Sequence, residues 1–309
     1  MTIRVVVTGA NGFVGRYLSY QLDQLGWLVW GLDKKDSVSR EGIAVVDLAD
    51  WKAMKRLFLE SQPEIVFHLA GVIKSEHPEE LYKVNLQNTV DLFESLAETG
   101  MKPRVVIAGS SAVYGSGRSN RRISERARPH PMTHYAVSKL AQEVASLRYF
   151  DALGFPVVIA RMFNLLGPGQ SPDLACSAFA RQIALAELKG TNEITTGNLQ
   201  SQRDFVDVRD AVRALALLAE TGKAGQIYNV CSGHLVSIKS CLDELLALST
   251  QKIMVRVVDE KAQKHDVNIQ VGDARKLQAA TAWKPEIKLE QSLLDLLKDW
   301  RQRIRLELM

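Results

Sequence analysis

The first half of the chain alternates short apolar runs with longer stretches in which apolar residues recur at helical spacing. The runs are rich in valine and isoleucine and nearly unbroken, a pattern typical of strands buried on both faces of a parallel sheet. They lie at 3–8, 28–32, 43–46, 65–69, 105–108 and 157–160. The helical stretches between them lie at 13–25, 50–60, 79–99 and 133–153. This alternation predicts an α/β fold in which a parallel sheet carries helices on both sides.

The second half of the chain is less regular, and the glycine- and proline-rich segment GPGQSP at 167–172 interrupts the pattern. Helical spacing returns at 174–189, 208–221, 237–249 and 289–306. Short strands are predicted at 226–230 and 253–258. We predict a first domain over 1–163, to which 204–230 returns, and a smaller mixed α/β domain over 164–309.

A glycine-rich turn follows the first predicted strand. Residues 8–15 read TGANGFVG, which places Gly9, Gly12 and Gly15 at intervals of three. Gly9 permits a tight turn, Gly12 lets the backbone approach a pyrophosphate, and Gly15 lets the helix pack close to the strand. The helix N-terminus adds N–H donors and positive potential. The turn therefore predicts a dinucleotide site formed by Gly9, Asn11, Gly12, Phe13, Val14 and Gly15.

The residues after the second strand bear on which dinucleotide binds. Asp33 stands where a carboxylate accepts hydrogen bonds from an adenosine ribose, which favours NAD(H). Lys34 and Lys35 follow at once and would pair with a 2′-phosphate, which favours NADP(H). The sequence leaves both cofactors open, and Asp33 tips the balance towards NAD(H).

The segment YAVSK at 135–139 places Tyr135 and Lys139 one turn apart on the same face of a predicted helix. In a cleft, the ammonium of Lys139 would favour the phenolate and lower the pKa of Tyr135 from its usual value near ~10. A tyrosine tuned in this way is a usable acid or base near neutral pH. We therefore predict proton transfer at Tyr135.

These motifs together resemble the extended short-chain dehydrogenase/reductase family over essentially the whole chain. The family includes nucleotide-sugar epimerases, 4,6-dehydratases and 4-keto reductases. The resemblance implies a Rossmann-type doubly wound sheet and a homodimer built from helices 79–99 and 133–153. It also implies a triad of Ser110, Tyr135 and Lys139, with Ser110 in GSSAVYG at 109–115.

Three further segments carry the resemblance: VDL at 46–48, HLAG at 68–71 and VN at 84–85, which holds the family's helix asparagine. The first two imply contacts with the dinucleotide, the adenine near Asp47 and the nicotinamide ribose near HLAG. The implied cofactor contacts are Asp47, Leu48, Leu69, Ala70 and Gly71, together with Tyr135 and Lys139.

The triad suits the reduction of a ketone. The carbonyl oxygen gains negative charge and needs a hydride donor, a proton donor and a second hydrogen bond. Tyr135 would supply the proton, Ser110 the second bond, and Lys139 would hold the nicotinamide ribose. The 4,6-dehydratases carry a carboxyl group just after the catalytic hydroxyl, whereas this chain has Ser111 and Ala112. Without that acid to expel a C6 hydroxyl, dehydration is disfavoured.

The second half is similar to the GDP-4-keto-6-deoxy-D-mannose reductases in RMFNLLGPGQS (161–171), GNLQSQRDFVDVRD (197–210) and QIYNVCSG (226–233). This resemblance implies reduction of a GDP-linked C4 ketone to GDP-D-rhamnose. The implied substrate contacts are Ser111, Asn164, Arg203 and Lys264.

Two departures leave the sugar and the base open. Leu165 replaces a histidine of those reductases, and Gln263 stands where they carry an arginine. A nucleotide-sugar 4-epimerase is the alternative function. A non-catalytic dinucleotide sensor is a further one, and the intact triad argues against it.

Composition excludes several other classes. Apolar runs such as 214–219 are far shorter than the ~20 residues of a membrane span, and the N-terminal residues show no signal-peptide pattern, so we expect a cytoplasmic protein. Net charge is +4, and the arginine-rich stretch 115–131 lacks interleaved aromatic residues, which disfavours nucleic acid. That stretch is a solvated loop or a basic rim that attracts an anionic substrate. The three cysteines have no metal-ligand spacing, so no metal site is predicted.

Overall fold

The computed structural model describes residues 2–34, 43–117, 121–258 and 268–307. The strands in these ranges are β1 (Arg4–Thr8), β2 (Leu28–Asp33), β3 (Ile43–Val45), β4 (Ile65–His68), β5 (Arg104–Ser110), β6 (Val157–Met162), β7 (Asn164–Leu166), β8 (Glu193–Thr196), β9 (Gln202–Arg203), β10 (Phe205–Asp207), β11 (Gln226–Val230), β12 (Val236–Ser237), β13 (Met254–Val257) and β14 (Ile269–Gln270). The α-helices are α1 (Phe13–Gln24), α2 (Trp51–Ser61), α3 (Pro78–Tyr82), α4 (Asn88–Thr99), α5 (His134–Leu153), α6 (Ala175–Lys189), α7 (Val208–Thr221), α8 (Ile238–Ala247), α9 (Arg275–Thr281) and α10 (Leu289–Glu307).

The central sheet has seven strands in the order β3-β2-β1-β4-β5-β6-β11. Every neighbouring pair is parallel, which confirms the predicted doubly wound α/β fold. From β1 the chain adds β2 and β3 on one side, and it then adds β4, β5 and β6 on the other side. The strand order therefore reverses between β1 and β4. Open parallel sheets bind ligands in the crevice beyond the carboxyl ends of the strands at such a point.

Strand β1 shows why the predicted runs are continuously apolar. Val5 and Val7 enter the apolar cluster on one face of the sheet, and Val6 enters the cluster on the other face. Helices α1 and α7 pack together on the first face, and α2 packs against α4 on the second. A strand covered on both sides has no solvent-facing positions, so the alternation of polar residues disappears.

The predicted helix 79–99 is interrupted. It begins as α3 and passes through a π-helical turn at Lys83–Gln87 before α4. A π-turn inserts an extra residue into the helix and often marks a functional site. Here the turn carries Asn85, which is fully buried.

The described part of the second half forms three small sheets, with orders β10-β7, β12-β9-β14 and β13-β8. Helices α6, α8 and α10 enclose a third apolar cluster. Strand β11 joins the central sheet beside β6, while α7 packs against α1. The domain division at residue 164 stays a prediction. Among the helices that the structure describes, none combines the length and the apolarity needed to cross a membrane.

Candidate active site

The glycine turn lies at the carboxyl end of β1 and leads into α1. Gly9 has φ +70°, and a Cβ added at Gly15 would lie 2.1 Å from the Gly9 carbonyl oxygen. Gly12 is the N-cap of α1, and within the described ranges no side chain caps this helix end. The first amides of α1 are therefore available to an anion. The close backbone approach and the uncapped helix end fit a dinucleotide pyrophosphate.

Asp33 is tied directly to this turn. Its Oδ2 accepts a hydrogen bond from the Asn11 backbone N–H at 2.8 Å, and its Oδ1 accepts from the Lys34 N–H at 2.9 Å. Asp47 follows β3, is exposed, and accepts from the Ala49 N–H at 3.0 Å. The next residue, Leu48, is buried. Lys35 lies outside the described residues, and the adenosine-side roles of the others stay predictions.

The segment after β4 packs against the glycine turn. The Ala70 N–H donates to Thr8 Oγ1 at 3.2 Å, and a Cβ on Gly9 would lie 2.9 Å from the Ala70 backbone. A Cβ on Gly71 would lie 2.9 Å from Asn85 Oδ1, so this position also accepts only glycine without a shift. The two predicted cofactor segments, 8–15 and 69–71, thus meet where the strand order reverses.

Ser110 and Tyr135 meet at the same edge of the sheet. Ser110 is the last residue of β5, and its Oγ accepts from the Ala112 N–H at 3.2 Å. The Ser110 hydroxyl also lies close enough to the phenol of Tyr135 to influence its pKa. Tyr135 lies in the first turn of α5, whose N-cap Thr133 accepts from the Ala136 N–H at 3.1 Å. These caps fix both hydroxyl groups relative to the sheet.

Burial raises the pKa of Tyr135 above its ordinary value, and the nearby Ser110 hydroxyl opposes that change. The predicted lowering of this pKa is therefore wrong, because burial outweighs the effects that would lower it. Lys139 lies one turn further along α5, is only 6% exposed, and directs its ammonium to Gln142. The phenol is protonated at neutral pH and so has a proton to give, although the raised pKa makes it a weaker acid than a free tyrosine.

Burial also lowers the pKa of Lys139 to about 8, against an opposing effect of the Glu143 carboxylate. Glu143 itself forms a buried ion pair with Arg161, at 2.7 Å between Oε2 and Nη2. The Arg161 guanidinium lies 4.7 Å from the centre of the Tyr114 ring. This pair fastens α5 to β6 just behind Lys139.

A buried chain of hydrogen bonds runs from Lys139 back to the glycine turn. Gln142 Nε2 donates to Thr89 Oγ1 at 2.9 Å, Thr89 Oγ1 lies 2.8 Å from His68 Nε2, and His68 Nδ1 lies 2.9 Å from Thr8 Oγ1. Gln142 and Thr89 were not predicted as members of the site, and His68 was noted only as the first residue of the segment HLAG. Gln142 also carried a signal, because a residue three places after Lys139 shares its helix face.

Asn85 is a second link between the cofactor segment and α5. Its amide exchanges hydrogen bonds with Val72, accepting from the N–H at 2.9 Å and donating to the carbonyl at 3.0 Å. It also donates to Ser138 Oγ at 2.9 Å, and Ser138 donates to the Tyr135 carbonyl at 2.8 Å. The π-turn thus places one amide between residues 69–72 and the helix turn that carries Tyr135.

Ser111, predicted to contact substrate, has its side chain committed elsewhere. Its hydroxyl donates to Gln270 Oε1 at 2.8 Å, and Gln270 Nε2 donates to the carbonyls of Ser111 at 2.9 Å and Gly115 at 3.0 Å. Gln270 lies on β14, so these three bonds hold the Ser110 segment against the second half. A substrate contact of Ser111 stays a prediction.

A cavity of about 480 Å³ opens in the second half, and two predicted substrate residues, Asn164 and Arg203, line it together with Leu165. Arg203 Nη1 donates to the Gln202 carbonyl at 3.1 Å. The carboxylate of the neighbouring Asp204 accepts hydrogen bonds from Ser232, Gly233 and Gly272.

Lys264, the fourth predicted substrate contact, lies outside the described residues, as do Lys261 and Gln263. Asp207 forms an ion pair with Arg209 at 2.8 Å. In the described part of the chain, no group of three or more His, Cys, Asp or Glu side chains is placed to hold a metal ion.

Comparisons with known proteins agree with this geometry. The model of the NAD dependent epimerase/dehydratase family matches residues 5–231. The chain is 34% identical to the GDP-6-deoxy-D-mannose reductase of Pseudomonas aeruginosa over 99% of this chain and 100% of that protein. The solved structure of RMD from Pseudomonas aeruginosa complexed with NADPH has a TM-score of 0.86 at 33% identity, covering 98% of this chain and 99% of that one.

A Thermus thermophilus UDP-glucose 4-epimerase complexed with NAD has a TM-score of 0.87 at 27% identity, covering 97% of this chain and 99% of that chain. Both dinucleotides that the sequence left open thus occur among the structural neighbours. The predicted class, an NAD(P)-dependent oxidoreductase, is confirmed. Because the family model matches most of the chain, the protein belongs to the NAD dependent epimerase/dehydratase family, the extended short-chain dehydrogenases/reductases.

Proposed function

We propose that this protein reduces the C4 ketone of a nucleotide-linked 4-keto-6-deoxy-hexose with NAD(P)H, and that the substrate is GDP-4-keto-6-deoxy-D-mannose and the product GDP-D-rhamnose. The observation that carries the proposal is the juxtaposition of Ser110, at the carboxyl end of β5, with Tyr135, in the first turn of α5. The pair offers two hydroxyl groups to one carbonyl oxygen, next to a turn built for a dinucleotide pyrophosphate.

The residues divide the chemistry between them. The glycine turn would hold the pyrophosphate, Asp33 the adenosine ribose, and Lys139 the nicotinamide ribose. When bound, the reduced dinucleotide supplies a hydride. Tyr135 gives its proton to the ketone oxygen, since the phenol is protonated near neutral pH. Ser110 donates the second hydrogen bond to the oxygen as negative charge develops there.

The substrate side is supported by the cavity that Asn164 and Arg203 line. Its volume, about 480 Å³, falls within the usual range for small-ligand sites. A guanidinium fork such as that of Arg203 matches diphosphate oxygens. The full-length similarity to a GDP-6-deoxy-D-mannose reductase favours a GDP sugar, and Ala112 leaves no carboxyl group for dehydration.

A nucleotide-sugar 4-epimerase is the second candidate, favoured by the structural similarity to the UDP-glucose 4-epimerase of Thermus thermophilus. It would use the same hydroxyl pair but return the hydride to the other face of the sugar. The two activities differ in cofactor balance, because reduction consumes one NAD(P)H per product and epimerisation consumes none.

The test follows the absorbance of reduced nicotinamide while GDP-, dTDP-, UDP- and CDP-4-keto-6-deoxy sugars are offered with NADH and with NADPH. We expect oxidation equimolar with product, and the highest kcat/KM with the GDP sugar. The corresponding 4-hydroxy nucleotide sugars are offered in parallel with NAD+ and NADP+. Their conversion to the C4 epimer without a net change in absorbance would replace this proposal with the epimerase.

The role of Tyr135 is tested by Tyr135→Phe. We expect turnover to fall by a factor on the order of 10² or more, while dinucleotide affinity changes little. Tyr149→Phe is the matched control, since it removes a phenol from the same helix that bonds Glu94 Oε1 at 2.5 Å, away from the hydroxyl pair. Full turnover in Tyr135→Phe would remove the phenol from the mechanism.

Arg203→Ala tests the substrate side. Loss of a diphosphate contact should raise KM for the sugar nucleotide and leave dinucleotide affinity nearly unchanged. The opposite pattern would show that Arg203 serves the cofactor half of the cleft.

We also propose a cytoplasmic homodimer formed through α4 and α5. Val137 and Val144 are 38% and 61% exposed and lie two turns apart on α5, which supports an apolar contact on this helix. Light scattering at working concentration should give twice the chain mass, and a monomer would rule out this assembly.

A further inference from the structure

We infer that Gln142 is a positioning residue for Lys139: its amide, held in one orientation by Thr89 and His68, fixes the ammonium and stabilises its charged form. The inference deepens the proposed function, since Lys139 is the residue proposed there to hold the nicotinamide ribose. It rests on the hydrogen-bond chain behind Lys139, in which each donor and acceptor can be assigned.

The assignment begins at Thr89, whose hydroxyl has a single proton. Thr89 Oγ1 donates that proton to the Asn85 carbonyl at 2.9 Å. The same oxygen lies 2.9 Å from Gln142 Nε2 and 2.8 Å from His68 Nε2, so it must accept from both. The Gln142 amide nitrogen therefore faces Thr89, and its carbonyl oxygen faces the Lys139 ammonium.

His68 completes the chain as a neutral imidazole protonated on Nε2. Its Nδ1 then accepts from Thr8 Oγ1 at 2.9 Å, while Thr8 Oγ1 accepts from the Ala70 N–H at 3.2 Å. Burial, aided by the nearby charge of Lys139, lowers the pKa of His68 to about 3, in keeping with the neutral ring. The orientation of Gln142 is thus locked from the strand that carries the glycine turn.

Lys139 depends on this amide because it is removed from water. The titratable groups around Lys139 are Tyr135 and Glu143 on α5, His68 on β4 and Arg161 on β6. Glu143 is engaged by Arg161 in a bidentate contact, so the direct partner of the ammonium is a neutral carbonyl. A neutral acceptor stabilises an ammonium less than a carboxylate would, which leaves Lys139 charged but close to its titration point at working pH.

Two substitutions of opposite sign test the inference. Gln142→Met keeps the length of the side chain and removes the acceptor, so we expect Lys139 to titrate about one pH unit lower. Gln142→Glu replaces the amide oxygen with a carboxylate, so we expect titration about one pH unit higher. The titration is followed by NMR of isotopically labelled lysine side chains, with the Lys139 signal identified by its loss in Lys139→Arg.

The basic limb of kcat/KM against pH should move in the same directions. Ser146→Ala is the matched control, because Ser146 is buried on the same face of α5. Its hydroxyl donates to the backbone carbonyl oxygen of Gln142 at 2.8 Å. This substitution removes one buried hydrogen bond and leaves the side-chain amide of Gln142 in place. The NMR titration of Lys139 and the basic limb of kcat/KM should therefore both stay as in the unsubstituted chain.

The possible results separate cleanly. The role of Gln142 would be overturned if the Lys139 titration moved in the same direction in Gln142→Met and Gln142→Glu, or did not move in either. It would also be overturned if Ser146→Ala shifted that titration equally. If Gln142→Met does not fold, the sign of the Gln142→Glu shift decides alone. The NMR titration needs no sugar, so opposite shifts without turnover of any sugar offered would sustain Gln142 and refute the proposed function.

Discussion

The buried imidazole of His68 makes the stability of this protein depend on pH in a way that one substitution should remove. His68 is fully buried between the hydroxyls of Thr8 and Thr89. Burial lowers the pKa of His68 from 6.5 to about 3. The unfolded chain therefore takes up a proton at this residue below about pH 6.5, whereas the folded chain does so only near pH 3.

The size of the effect follows from these two values. The unfolded state binds more protons throughout the window, so stability falls as the pH is lowered from 6.5 towards about 3. Between about pH 7.5 and about pH 5, this one group should lower the free energy of unfolding by roughly 2 kcal/mol. His68→Gln cannot titrate, so its stability should lack this component while remaining lower near neutral pH, because one hydroxyl partner is lost.

The assay is urea unfolding of both proteins at several pH values, followed by tryptophan fluorescence. The difference between the two free energies should shrink by roughly 2 kcal/mol from about pH 7.5 to about pH 5. His234→Gln, which removes an exposed imidazole, should keep the pH dependence of the unsubstituted chain. Parallel curves for His68→Gln and the unsubstituted chain would refute the neutral, buried imidazole and the hydrogen-bond directions drawn from it.

Two further predictions concern the backbone at Gly15 and the hydrogen bonds of Gln270. Gly15→Ala places a methyl group 2.1 Å from the Gly9 carbonyl oxygen, so the turn must shift. A fluorescence titration should therefore show that dinucleotide affinity is lost. Tight dinucleotide binding would contradict the close approach of the two backbone segments. Gln270→Leu leaves two carbonyls without their donor, each worth about 1–3 kcal/mol, so urea unfolding should show a loss of a few kcal/mol. The same variant should lower kcat by loosening the Ser110 segment, with dinucleotide affinity unchanged; full kcat would leave Gln270 a purely structural role.

Local signals in the sequence were sufficient for the framework. The apolar runs predicted the six leading strands of the central sheet, because a strand buried on both faces needs valine and isoleucine at successive positions. Glycine spacing predicted the turn at 9–15, since only glycine tolerates the contacts found at Gly9 and Gly15. The helix period placed Tyr135 and Lys139 on α5.

The second half was harder to predict, and for a simple reason. Strands β9, β12 and β14 have two residues each, too few to show a period of two. Helix α9 spans only Arg275–Thr281 and was not foreseen either. The cavity is lined by α6 and by the short strands β7, β8, β9 and β10, so its presence depends on how these elements pack rather than on any local pattern.

Tertiary structure alone decided the polar interior of the site. Helix α5 buries Ser138, Lys139, Gln142, Glu143 and Ser146, although hydrophobic periodicity assigns such residues to the surface. Their partners are remote: Thr89 lies 53 residues from Gln142, and Gln270 lies 159 residues from Ser111. A residue's own sequence neighbourhood fixes its secondary structure. A polar group can be buried when it has a hydrogen-bond partner. Strand order and helix packing determine that partner, because they bring distant segments together.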